Sequence, residues 1–150
     1  MIITYDTKKH PFVVVTIQDG EDHNDILYES FMQYLENQYK QKSYFYLLFD
    51  MENLSTPNLL LLRNYIQRIK ELKTSPIRYL QFYIVITFNP WIRKLLYMLW
   101  NLCKPMSIAY LVENKTIAYS LLDIVTNKNN SKEYIDAYIV MNSLTVINPG

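Results

Sequence analysis

Glycine is almost missing from this chain, which has only Gly20 and Gly150 among its 150 residues. A phosphate cradle needs a glycine-rich turn after a strand, so the commonest nucleotide-binding sites of α/β chains are excluded. Cysteine occurs once, as Cys103. A single thiol cannot form an internal disulfide and fits a reducing compartment. His10 and His23 are too few to make a metal site by themselves. An excess of charge of one sign is missing too: 15 basic and 14 acidic residues leave a net charge of +1. That balance gives no electrostatic reason to name nucleic acid as a partner. Nor is a basic stripe concentrated on one segment, since Lys8-Lys9 and Lys40/Lys42 are too short. The longest apolar helical stretch is about 13 residues, short of the ~20 that cross a bilayer. The start, MIITYDTKKH, lacks the basic-then-apolar order of a signal peptide. A cytoplasmic protein with no cofactor is expected.

What is present is led by Tyr79–Pro105, YLQFYIVITFNPWIRKLLYMLWNLCKP. Its first part, Leu80 to Phe88, is apolar except at Gln81 and Thr87. A strand apolar at nearly every position is covered on both faces, as in the centre of a parallel sheet. Asn89 then suits an N-cap and Pro90 the first helical position, where its missing N–H has no helical partner. The result is a strand-to-helix unit of an α/β domain.

The rest of the chain repeats that unit. Ile2–Tyr5 and Phe12–Gln18 read as strands joined at His10-Pro11. A helix starts near Asn24 or Asp25, with Leu27, Phe31, Tyr34, Leu35 and Gln38 on one face. Tyr44–Phe49 is a third strand. Pro57, capped by Ser55 or Thr56, opens a helix to about Lys73, with Leu59, Leu62, Ile66, Ile69 and Leu72 inward. Thr74-Ser75-Pro76 ends it. Ser107–Val112 is a fifth strand, and Lys115–Val125 a fourth helix. The predicted fold is α/β: a single domain over residues 1–126, with a mixed, mostly parallel sheet of about five strands and about four helices. In the 127–150 tail, Tyr134, Tyr138 and Met141 fit a helical stripe, whereas Leu144–Ile147 looks extended.

No catalytic constellation stands out. Cys103 lies on an apolar helix with no nearby base, and a structural thiol explains it better than a nucleophile. The acidic run Glu21, Asp22, Asp25 around His23 is explained by the positive end of a helix more simply than by a cation. Asp50 ends a strand, where α/β folds often keep functional carboxylates, yet it has no evident partner group. The third helix gives a better lead. Arg93, Lys94, Asn101 and Lys104 share one arc, and the apolar residues opposite spread wider than the roughly 100° stripe a sheet needs. Either the second helix or the tail covers that excess, or an edge with Trp91, Leu96 and Trp100 is left as a margin for a partner, a lipid or a second copy.

The segment Tyr46–Leu62, YLLFDMENLSTPNLLLL, resembles the strand–Asp–loop–helix unit of STAS domains, whose family includes anti-sigma-factor antagonists. Ser107–Val112 with the helix around Ala118–Leu122 is similar to the closing strand and helix of small STAS-like proteins. Tyr83–Pro105 is similar to a run of the related CRAL-TRIO lipid-binding fold. Together the likenesses cover residues 2–125. The STAS-like resemblance implies a non-enzymatic regulatory or scaffolding domain acting on a protein partner or as a homodimer. It places the regulatory hydroxyl at Ser55 or Thr56, within the surface Asn53–Asn58. The CRAL-TRIO likeness implies, as the alternative, a small lipid or membrane-surface binder.

Overall fold

The computed structural model describes residues 1–21, 25–72 and 75–149. Strands β1 (Ile2–Lys9) and β2 (Phe12–Gln18) are followed by α1 (Asp25–Lys40), β3 (Phe45–Asp50) and α2 (Leu59–Glu71). Then come β4 (Leu80–Ile86), α3 (Pro90–Leu102), β5 (Ile108–Val112), α4 (Lys115–Thr126), α5 (Lys132–Met141) and β6 (Thr145–Ile147). The strands lie side by side in chain order, with β1 and β6 antiparallel at the edges and β2 to β5 parallel between them.

That order decides where the helices sit. Each parallel crossover is right-handed, and all three step across the sheet in one direction, so α1, α2 and α3 share one face. One core forms beneath them. It joins Phe31 and Leu35 of α1, Leu62, Tyr65 and Ile69 of α2, and Ile92, Leu96 and Trp100 of α3 to Val13, Leu47, Tyr83 and Val85 of the sheet. The opposite core gathers Leu48, Phe82, Ile84 and Val112 against Ala118, Leu121 and Leu122 of α4. β4 serves both, and all its residues but Gln81 are buried. β2 alternates instead, with Val13, Val15 and Ile17 buried and their neighbours half-buried.

Local sequence explains most boundaries. Asn89 accepts a hydrogen bond from Trp91 N at 2.9 Å and Pro90 opens α3. Asn114 caps α4 through Ile117 N at 2.9 Å, and Ser131 caps α5 through Tyr134 N at 3.2 Å. The start of α2 departs from expectation. Asn58, not Ser55 or Thr56, is the cap, accepting from Leu61 N at 3.1 Å, and Pro57 stays outside the helix. The inward face rotates accordingly: Leu61 and Tyr65 are buried and Leu59 is exposed. The helix stop read at Lys73–Thr74 lies outside the described residues, as does the acidic loop at Asp22–Asn24 with His23.

Counts of about five strands and four helices fall short by one each, and the tail supplies both. β6 adds to the sheet through pairs such as Tyr110↔Val146, and Ile147 is buried in the core. β6 therefore completes the sheet at this edge.

Candidate functional site

The parallel strands end together along one rim. Thr16 is level with Asp50, Asp50 with Ile86, and Ile86 with Val112. Asp19 follows β2 directly, and residues 51–58 connect β3 to α2 along this rim. The connection is well tied. Met51 N donates to Ile86 O at 2.9 Å and Asp19 N to Asn53 O at 3.0 Å. Met51 and Leu54 point down into the core and are buried.

Asp19 organises the exposed part of this loop. Its carboxylate accepts from Ser55 N at 3.0 and 3.1 Å, from Thr56 N at 3.1 Å and from Ser55 Oγ at 2.5 Å. The Ser55 hydroxyl, then the two backbone N–H groups, hold the Asp19 carboxyl below its ordinary pKa. A carboxylate so held is a weaker base than a free one.

Across a shallow cleft, Asn53, Leu54 and Ser55 face Phe88, Asn89 and Pro90. One wall is polar and hydrogen-bonded; the other is aromatic. Phe88 is 74% exposed and Trp91, the second residue of α3, is 61% exposed. Beneath them Thr87 is fully buried, and its Oγ1 has no hydrogen-bond partner.

The residues singled out from sequence separate into four groups. Asn53, Ser55 and Thr56 meet on the rim as one surface, with Trp91 on the adjoining helix. Asp50 turns away from them: its Oδ1 accepts from Glu52 N at 3.1 Å and its Oδ2 pairs with Lys115 of α4 at 3.3 Å. Asn58 spends its side-chain oxygen on the α2 cap. Leu96 and Trp100 do not form an exposed margin. They are 2% and 5% exposed, packed between α3 and the sheet, with the Trp100 ring 6.3 Å from that of Tyr83. Of the wide apolar arc of α3, Ile92, Leu95, Leu96 and Trp100 are core, while Trp91, Met98 and Leu102 stay exposed.

Asp19 and Phe88 are the rim residues that sequence reading passed over. Asp19 has a signal in the sequence, since it follows a strand just as Asp50 ends one. Cys103 is half-buried, with Lys70 Nζ at 3.5 Å from its sulfur. Among the described residues no group of three or more His, Cys, Asp or Glu could hold a metal ion, and no helix is long and apolar enough to cross a membrane. In comparisons with known proteins, the chain matches no family model, no curated protein and no solved structure.

Proposed function

We propose that this chain is a non-enzymatic, STAS-like regulatory or scaffolding domain of the cytosol, working through protein–protein contacts at the rim formed by Asn53–Thr56, Phe88 and Trp91. The observation that carries this reading is the Asp19 clamp. It fixes a solvent-facing loop in one conformation, and a preorganised surface binds without first losing loop entropy. Beside it stand two exposed aromatic rings, the residue type most often found as interface anchors.

The STAS-like part of the reading is supported by the strand order, by the three crossover helices on one face, and by Ser55 and Thr56 in the loop before α2. A phosphate on Ser55 would meet the Asp19 carboxylate at contact distance, and like charges there would release the loop. A lipid enclosed between the sheet, α2 and α3 is less well supported. The cavity between the sheet, α2 and α3 measures about 40 Å³, room for about two or three waters but not for an acyl chain.

Native mass spectrometry of the purified chain, with affinity capture from cell extract, tests the proposal. A homodimer or a stoichiometric protein partner is expected, weakened at least tenfold by Phe88→Ser with Asn53→Lys. A strict monomer that captures nothing, or a complex indifferent to both substitutions, would overturn it.

A further inference from the structure

Net charge hides a strong asymmetry. Between Leu59 and Lys104 the sequence has eight basic residues and one acidic residue, so a chain of net charge +1 carries +7 here and −6 elsewhere. The cations are spread thinly along the chain, which is why no basic stripe is evident in it; folding gathers them. α2 and α3 lie on the same face of the sheet, and Arg63 and Lys70 of α2, Lys94 of α3 and Lys104 just beyond it are all exposed. Among the described residues Arg63, Lys94 and Lys104 make no ion pair. Arg68 differs, because it turns to α1 and pairs with Glu29 and Glu36 at 3.1 and 3.6 Å.

The same outer surface carries aliphatic side chains with no cover. Leu102 is 81% exposed, Leu60 67% and Met98 51%. Between the helices runs a groove lined by Ile66, Leu99 and Leu102, with Arg63 at its side. Aliphatic side chains interspersed with unpaired cations, and a tryptophan at the margin, form the pattern of helices that lie in a membrane interface. Nucleic acid would use the cations but leaves the leucines without a role.

We propose that the outer surface of α2 and α3 docks on an anionic phospholipid bilayer, with Leu60, Met98 and Leu102 in the headgroup region and the four cations against lipid phosphates. This surface meets the rim only at Trp91, and the variants of Asn53 and Phe88 on one side and of Lys94, Leu102 and Lys104 on the other let either proposal fail while the other stands.

The full chain mixed with vesicles tests it. Vesicles of phosphatidylcholine with one-third phosphatidylglycerol should carry the protein in flotation, while vesicles of phosphatidylcholine alone should not. Trp91 emission should shift to the blue on binding, with buried Trp100 silent. Affinity should fall about fivefold for each cation removed in Lys94→Gln and Lys104→Gln, fall again in Leu102→Ser, and collapse at roughly 0.5 M salt. Lys8→Gln with Lys9→Gln, on β1, should change nothing. No binding to anionic vesicles, equal binding to neutral ones, or an equal loss in the β1 variant would overturn the proposal. So would an acidic amphipathic peptide that binds this face when anionic vesicles do not.

Discussion

Tyr65→Phe should stabilise the protein. Tyr65 stands on α2 with 4% of its surface exposed. Its ring packs edge-on to Tyr28 at 4.5 Å and against Phe31 at 6.1 Å. The packing belongs to the ring, while the hydroxyl is buried without a hydrogen-bond partner. Desolvation in that setting drives its pKa well above the usual tyrosine value. A buried polar group left unbonded costs about 1–3 kcal/mol, and Phe keeps the ring while deleting the group. The expected gain is about 1–2 kcal/mol, a rise in Tm of about 2–8 °C for a domain of this size. Ser107→Ala is the control of opposite sign. Ser107 is equally buried, but its hydroxyl donates to Leu80 O at 2.5 Å. Removing that oxygen strands a buried acceptor and should cost about 1–2 kcal/mol. Urea unfolding followed by tryptophan emission measures both, with an unchanged m-value showing that only stability moved. A loss of about 0.5 kcal/mol or more in Tyr65→Phe would refute the reasoning. It would mean that the hydroxyl is bonded after all, to a water in the small cavity it borders.

The two tryptophans should separate cleanly. Trp100→Ala should cost about 3–5 kcal/mol by emptying the core, whereas Trp91→Ala should stay within about 0.5 kcal/mol; equal losses in urea unfolding would contradict their burial. Asp19 gives a pH signature. Its folded pKa lies below its unfolded value of 3.8, so its contribution is full above that value and is lost as the pH falls through the folded pKa. Asp19→Asn should therefore be less stable than the parent at neutral pH, and the two curves should converge in acid; a constant gap down to the lowest pH would contradict the clamp. Ile147→Ala should cost about 2–3 kcal/mol, and a change near zero would remove β6 from the core.

The legible parts of the fold were those with one strong physical cause. β4 and α3 could be read from an unbroken apolar run, an Asn cap and a Pro. β6 was legible only as an extended stretch at Leu144–Ile147, because three residues give alternation little length to show itself and its pairing with β5 is distant in sequence. α5 buries no residue fully, so the apolar stripe that marks it in the sequence is weak. The α2 cap was misplaced because Ser55, Thr56 and Asn58 are all good caps. The choice falls to Asp19, which engages the N–H groups of Ser55 and Thr56 and leaves Asn58 to start the helix. Only the folded sheet brings Asp19 across from β2. Trp100 was misjudged for a similar reason: periodicity gives the width of an apolar arc but not how much a neighbouring helix will cover.

The rim and the cationic face have one geometric origin. In a right-handed crossover the helix runs back against its strands, so α2, α3 and α4 all begin at the rim where the parallel strands end. Their N-terminal turns bring partial positive charge to that edge, and none has an acidic residue in its first turn to balance it. The balance comes instead from the sheet and its connections. Asp19 meets the N–H groups before α2, and Asp50 meets Lys115 at the head of α4. Acidic side chains are thereby committed to the rim, while the outer surfaces of α2 and α3 keep their cations uncompensated. Chain order alone sets this division, because strands added in one direction put the crossover helices on one face. A substitution that disturbs the rim carboxylates should therefore leave the charge of the helical face intact.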